Sequence, residues 1–412
     1  MILVYNPLYF YTAQQRTTPM NKTAYNKHFI EFFAGTGLVR EGLEKDGWKC
    51  LWANDICPDK QSAYVDNFGA GDFLLGDIWE LTKRTEQLPS EAFLATASFP
   101  CTDLSVAGSR KGLKGEASGT LIAFLQIIEK LNDKPPVLLL ENVQGFLTSH
   151  KGADVSFTIN ELNKLGYVVS IVELDARYFT PQSRPRVFVV AVLSQLAPSV
   201  MVTNQHSANE HFSAKLLDNA QFYTKKVQSV YIQNSKCSLG VFDLPSLEDT
   251  KLKLHDIVED LDHNNKYWWS NDRVEKLCAQ MSANHSKTLN HMMNQNKVTY
   301  GTVYRRVRNS ISMAELRTDG IAGCLRTPKG GSSKQILVAA GNGKVRVRFL
   351  TPREYARLQG VDDSFILSKN DTKAYFAMGD AVCVPALTWL SKNILSICYE
   401  RWLSLLSSEN AA

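Results

Sequence analysis

The sequence predicts an α/β protein built on a doubly wound sheet, and three observations carry that reading. Strand-like and helix-like patterns alternate as far as Leu193. The first strand pattern runs into a glycine turn, Ala34-Gly35-Thr36-Gly37, and then a helical pattern. A later apolar run, Ala92 to Ala97, ends in the turn Ser98-Phe99-Pro100-Cys101. Open sheets of this class hold their ligands at the carboxyl ends of the strands.

The elements follow in order. Phe29-Ile30-Glu31-Phe32-Phe33 is the first strand, and Leu38, Val39, Gly42 and Leu43 set the helix after the turn. The glycines let backbone approach a ligand closely. A G-x-G-x-x-G run is missing, so a pyrophosphate site is weakly supported. The second strand, Lys49 to Ala53, ends at Asn54-Asp55. Asp55 follows Gly35 by twenty residues, the usual place for a carboxylate that accepts from ribose hydroxyls. Gly76-Asp77-Ile78 is a third acidic strand end, suited to an adenine edge. Each acid also fits a helix N-cap. Three such strand ends in this order favour an adenosine-type cofactor.

Pro100 fixes its own φ and biases Phe99 to extended geometry, so Cys101 leaves the strand in a set direction. A thiol there, followed by the Gly-, Ser- and Lys-rich stretch 108–119, reads as a nucleophile under a lid. The alternative is a small buried hydrophobe. Leu121 to Leu131 is an amphipathic helix, and Val137 to Leu140 is a buried strand ending at Glu141-Asn142-Val143. Desolvation there raises a carboxyl pKa and suits Glu141 to donate a proton; a structural cap is the other reading. A helix near Thr158 to Leu165, a strand Tyr167 to Leu174, a loop 178–186 and a strand Val187 to Val192 come next. Arg184 and Arg186, two apart at a strand head, share a face. They steady an anion or a carbonyl, or form a plain ion pair.

After Leu193 the alternation stops. We expect a catalytic and cofactor-binding domain at 28–193, a smaller irregular domain at 194–370, and a segment 371–412 that returns to the first. Thr351 fits an N-cap, Pro352 the first helical position and Glu354 a capping-box acid. Leu387, Leu390, Ile394 and Ile397 mark an amphipathic C-terminal helix. Charge is uneven: residues 295–357 carry 13 Lys and Arg against 3 Asp and Glu, a net +10, while the whole chain carries +5. That asymmetry suits a face for a polyanion, or a solvated basic surface.

The 412 residues have 44% hydrophobic and 21% charged content, ordinary for a soluble globular protein. The apolar runs are shorter than a membrane span, and the N-terminus lacks a basic leader. Met20 is a plausible alternative start. Eight scattered cysteines form no C-x-x-C pair, which indicates neither zinc nor a disulfide framework and fits a reduced, cytoplasmic setting.

In sum of motif order, the chain resembles the DNA (cytosine-5)-methyltransferases of bacterial type II restriction–modification systems. The resemblance runs from about Phe29 to Ile394. Phe33-Ala34-Gly35-Thr36-Gly37 resembles the cofactor loop and Phe99-Pro100-Cys101 the nucleophile motif. Glu141-Asn142-Val143 resembles the acid motif and Gln182-x-Arg184-x-Arg186 the arginine motif. Thr351 to Gly360 resembles the helix that organises the recognition domain, and Gly379-x-Ala381-Val382 the last motif.

The resemblance implies a Rossmann-like S-adenosylmethionine-dependent methyltransferase sheet with a target-recognition domain. It implies S-adenosylmethionine as cofactor, held by Phe33, Gly35, Thr36, Gly37, Asp55, Ile56, Asp77, Ile78, Pro100, Asp380, Ala381 and Val382. It implies a cytosine in duplex DNA as substrate, flipped out for reaction. Cys101 would add at C6, Glu141 would act at N3, and Arg186 with Arg184 would hold the base and Glu141. A cognate restriction endonuclease is an implied partner; a metal, a membrane and an oligomer are not implied. The sequence departs from the family pattern at Thr102, Ala107, Ser118 and Asp380; asparagine is usual where Asp380 stands. Arg110, Lys111 and Lys114 are candidates to replace lost phosphate contacts. Arg326 and Lys329 are candidates to touch DNA from the basic segment, at a base or at a phosphate. A tRNA-modifying branch shares these motifs, and the long basic segment favours DNA. A catalytically silent DNA-binding protein is a further reading, against which the intact Cys101, Glu141 and Arg186 set argues.

Overall fold

A computed structural model describes residues 26–100, 119–308, 311–327 and 334–410. Among these residues the main sheet has seven strands: β1 (Asn26–Phe32), β2 (Lys49–Asp55), β3 (Phe73–Leu75), β4 (Ala92–Ala97), β5 (Val137–Val143), β6 (Tyr167–Asp175) and β7 (Pro185–Leu193). Their spatial order is β3-β2-β1-β4-β5-β7-β6. The first five are parallel, and β7 runs antiparallel between β5 and β6. Chain progression reverses between β1 and β4, which opens a crevice at their carboxyl ends.

Helices cover both faces, so the central strands are mostly apolar; every residue of β4 is buried. The connections hold α1 (Leu38–Glu44), α2 (Pro58–Phe68), α3 (Ile78–Leu81), α4 (Thr120–Lys130) and α5 (Ala153–Lys164). In α4 the buried residues Leu121, Phe124, Leu125 and Ile128 recur at spacings of three and four, a helix pressed on a sheet along one stripe.

Beyond β7 the chain forms α6 (Ala197–Val200), β8 (Val202–Thr203), α7 (Asn209–Asp218), α8 (Lys225–Gln233), β9 (Gly240–Val241) and α9 (Leu254–Ile257). This stretch packs into the same core as the main sheet, through Phe222, Tyr223, Val230 and Tyr231. Its reason is the exposed edge of β6: the Ile171 amide donates to the Tyr231 hydroxyl at 3.0 Å, which satisfies an edge group that would otherwise lie open.

A second core lies farther on, among α10 (Asn271–Cys278), α11 (Ala283–Met293), β10 (Thr299–Arg308), β11 (Ile311–Arg317), β12 (Ile336–Gly341) and β13 (Lys344–Phe349). The four strands form an antiparallel sheet in the order β11-β10-β12-β13. The stretch read from sequence as irregular therefore contains a regular sheet. Its strands hid because they pair with one another and do not alternate with helices: β12 is buried along its whole length, and on β10 Val303 is buried whereas Tyr304 and Arg306 face solvent. Arg348 of β13 and Glu354 form an ion pair with neither side chain exposed, which fixes the exit from this sheet. Then α12 (Pro352–Leu358) begins with the capping box expected from Thr351 and Glu354.

The chain returns through α13 (Asp371–Asp380), α14 (Val384–Leu390), a π-helical turn Ser391–Leu395, and α15 (Ser396–Asn410). The π turn corrects one expectation. It widens the helix by a residue, so Cys398 and Trp402 enter the core and Ile397 is left 40% exposed. The run 371–408 is long and apolar enough by composition to cross a membrane; Leu387, Leu390, Ile394 and Cys398 are instead fully buried in the core that includes the main sheet.

Candidate active site

The loop after β1 turns through left-handed backbone at alternate residues: φ is 56° at Phe33, 59° at Gly35 and 83° at Gly37. Glycine adopts this freely, whereas Phe33 holds it at a cost of about 1–2 kcal/mol. Such strain gathers where a loop must meet a ligand. The Gly35 amide donates to Asp55 Oδ2 at 2.9 Å, and the Cys57 amide donates to Asp55 Oδ1 at 2.9 Å. Asp55 thus pins the loop to the end of β2, and each of its oxygens keeps a lone pair for a hydroxyl. The Asn54 side-chain amide donates to the carbonyls of Leu74 and Gly76, both at 2.9 Å, and so fixes the third strand end. Asp77 caps α3 by accepting from the Trp79 amide at 3.0 Å.

These strand ends enclose a cavity of about 260 Å³. All residues the sequence offered for a cofactor line it except Gly37, where a Cβ would meet the Phe68 ring at 2.3 Å. Gly37 serves packing between the loop and α2. The cavity suits a nucleoside: acids stand at two strand ends, Ile78 and Ile56 offer apolar cover, and the Thr36 hydroxyl is buried with no partner among the described residues.

Glu141 and Arg186 meet beside it. They sit on adjacent strands, with Glu141 opposite Phe188 and Val143 opposite Arg186. Arg186 Nε lies 3.0 Å from Glu141 Oε1. Burial pushes the Glu141 carboxyl above its usual range, and Arg186 and Arg184 hold part of that rise back. The neighbouring Asn142, which the sequence did not single out, donates from its side chain to the Phe99 carbonyl at 3.0 Å. It ties the acid strand to the turn before Cys101, and Phe99 packs edge-on against Phe146. An Asn directly after a candidate acid was the available signal.

Arg184 lies beside this pair and also spans a junction. Its guanidinium donates to the carbonyls of Leu325 at 2.8 Å and Ala381 at 2.7 Å, and to Cys324 Sγ at 3.4 Å. Gln182 extends the same junction, accepting from the Leu325 amide and donating to the Leu358 carbonyl. Arg326 is exposed, with its guanidinium 5.8 Å from the Tyr304 ring centroid. Cys101, Arg110, Lys111, Lys114 and Lys329 lie outside the described residues.

The family model for C-5 cytosine-specific DNA methylases matches residues 27–396. The chain belongs to this family. Its activity is transfer of a methyl group to carbon 5 of cytosine in DNA. Relatives agree along nearly the whole length. The chain is 28% identical over 410 residues to the type II methyltransferase M.HgiCI of Herpetosiphon aurantiacus, covering 87% of this chain and 95% of that one. It is 26% identical to M.HhaI of Haemophilus parahaemolyticus, over 89% and 93% of the two chains. Among solved structures, the S. pombe Dnmt2 methyltransferase covers 90% of this methyltransferase with a TM-score of 0.54 at 17% identity, a likeness of fold.

Proposed function

We propose that this methyltransferase uses S-adenosylmethionine and acts on a cytosine flipped out of a specific duplex site. The observation that carries the reading is the Glu141–Arg186 pair beside a nucleoside-sized cavity at the sheet's switch point. When bound, S-adenosylmethionine supplies an electrophilic methyl group. Asp55, Asp77, Ile56 and Ile78 would hold its nucleoside part, and Thr36 its buried polar edge. Phe33, Gly35, Pro100, Asp380, Ala381 and Val382 complete the walls.

The chain's own residues prepare the base. Cytosine C5 is a poor nucleophile, and the Cys101 thiolate adding at C6 makes it enamine-like. Glu141, whose carboxyl burial pushes above its usual range, hydrogen-bonds N3 and takes charge off the ring as the C6–S bond forms. Arg186 orients Glu141 and the base. After methyl transfer a base removes the C5 proton, the C5–C6 double bond re-forms and Cys101 leaves.

Recognition falls to 194–370, and within it to the second core and the segment leading from it. Arg326 lies on that segment, beside Tyr304, and Lys329 follows in sequence. Arg110, Lys111 and Lys114 serve phosphates near the nucleophile. Residues 28–193 and 371–412 form the catalytic unit. The enzyme works as a cytoplasmic monomer on host DNA and shields one site from a cognate restriction endonuclease, the role that the type II names of its relatives carry.

Single-base mapping of 5-methylcytosine in a host expressing the chain tests this. One short site should be methylated, and a tRNA transcript offered beside a plasmid should not be. Cys101→Ser should reduce transfer by more than about a hundredfold with cofactor binding intact. Transfer above that level removes the nucleophile role. Arg326→Ala should relax one base position, at about 1–3 kcal/mol, if it reads a base, and weaken all sequences alike if it touches phosphate.

A further inference from the structure

Two guanidinium groups, those of Arg186 and Arg184, gather on the single carboxyl of Glu141. Arg186 meets it directly, Nε to Oε1 at 3.0 Å. Arg184 is 2% exposed, and burial and the neighbouring Arg186 both work against its charge. Among the described residues its guanidinium donates to the carbonyls of Leu325, Gly379 and Ala381 and to one side-chain atom, Cys324 Sγ at 3.4 Å. Its Nε has no partner among those residues. Carbonyls supply dipoles and no net charge, and a buried cation without an anion is costly.

Cys324 answers that imbalance. It stands half-buried on the segment between β11 and β12, and both arginines donate to its sulfur. Burial pushes its thiol up, yet Arg184 and Arg186 outweigh burial and hold it below the usual thiol range. Cys383 gives the contrast: it also feels Arg184, but burial dominates and pushes its thiol up to about 11. The nearby acids are engaged elsewhere. Asp175 accepts from the Arg177 and Arg184 amides, and Asp380, whose charge reaches Glu141, pairs with Lys60 at 3.1 Å. Cys324 Sγ also lies 3.4 Å from the Leu325 carbonyl, where a neutral thiol would donate, but that carbonyl already accepts from Arg184 at 2.8 Å.

The balance of charge decides what Glu141 does. If Glu141 alone faces both arginines, their charge drives its proton off at lower pH. A second anion beside them lets the acid keep its proton to higher pH. We propose that Cys324 is a positioning residue of the active site: its thiolate shares Arg184 and Arg186 with Glu141, so that Glu141 keeps the proton it offers to the base. The proposal rests on the acid role of Glu141 given above.

Single-turnover methyl transfer across pH tests it with two variants of the full chain. Cys324→Ser keeps a neutral hydrogen-bond partner of nearly the same size and removes the anion. Its alkaline limb should lie about one pH unit below that of wild type. Cys324→Asp supplies a fixed anion, and its limb should stand at or above the wild-type position. A serine variant whose limb coincides with that of wild type overturns the proposal, whatever its maximum rate. Equal downward shifts in both variants would assign the effect to packing and overturn it as well. A wild-type chain without an alkaline limb would instead remove the acid role of Glu141 beneath it.

Discussion

The Arg184 guanidinium donates to the Leu325 carbonyl at 2.8 Å, across 141 positions of sequence. The same group holds the Ala381 carbonyl at 2.7 Å, and the side chain is 2% exposed. Arg184 therefore joins the segment bearing Arg326 to the wall of the cofactor cavity. Removing it takes a charged donor from the Leu325 carbonyl, at about 1–3 kcal/mol, and leaves the Ala381 carbonyl with the Gln359 side-chain amide alone, at 3.0 Å. Arg184→Ala should lower unfolding stability by about 2–5 kcal/mol and weaken DNA and cofactor binding together. Urea unfolding and two binding titrations measure this. A variant as stable as wild type, with either affinity unchanged, would deny the junction.

The Glu141–Arg186 pair predicts a pH dependence. Burial raises the Glu141 pKa, so the protonated acid persists above the ordinary carboxylate range, and transfer should fall as pH rises through the raised value. Arg186 opposes the rise. Arg186→Leu should therefore shift the alkaline limb to higher pH while lowering the maximum by about ten- to a hundredfold. Single-turnover rates across pH read both effects. A limb that moves to lower pH would mean that Arg186 does not act through the charge of Glu141.

Gly379 admits close backbone contact. A Cβ there would lie 2.6 Å from the carbonyl carbon and oxygen of Arg326 and 2.8 Å from the Thr327 amide. Backbone cannot swing aside as a side-chain tip can, so Gly379→Ala must displace the segment carrying Arg326. We expect a loss of about 1–3 kcal/mol in stability and a larger fall in DNA affinity than in cofactor affinity. The two affinities falling in equal measure would place the strain elsewhere.

Glu31 of β1 is buried, and neither carboxylate oxygen has a partner among the described residues. Burial pushes its pKa well up; Arg40 opposes, and Glu44, Asp55 and Asp72 add to the rise. The folded state then holds a proton that the unfolded chain releases above its ordinary carboxylate pKa. Between that pKa and the raised one, the folded state binds more protons, so this group makes stability fall as pH rises. Glu31→Gln keeps the shape of the protonated acid and removes the titration. Its advantage over wild type in denaturant midpoint should grow from pH 6 to pH 8. A constant difference between the two proteins across that range would show that Glu31 does not carry the slope.

What the sequence determined by itself was local. The glycine turn at Gly35, the acids at Asp55 and Asp77, the Glu141 strand end and the Thr351 cap each follow from a few neighbouring residues with one strong preference. Their order along the chain was enough to set the α/β class and the family resemblance. The tertiary structure decided what depends on groups far apart in sequence. It gave Arg184 and Arg186 different partners while keeping both beside Cys324: Arg184 braces Leu325 and Ala381, and Arg186 meets Glu141. It assigned Asn142 to the Phe99 carbonyl and set Lys60 against Asp380. It gathered β10 to β13 into one sheet, although the alternation of Val345, Val347 and Phe349 with Lys344, Arg346 and Arg348 on β13 was a local signal for a strand. A π turn, a shift of one residue, moved Ile397 to the surface. Side-chain hydrogen bonds and strand pairing across long separations leave no periodic trace in the chain, which is why only the folded arrangement shows them.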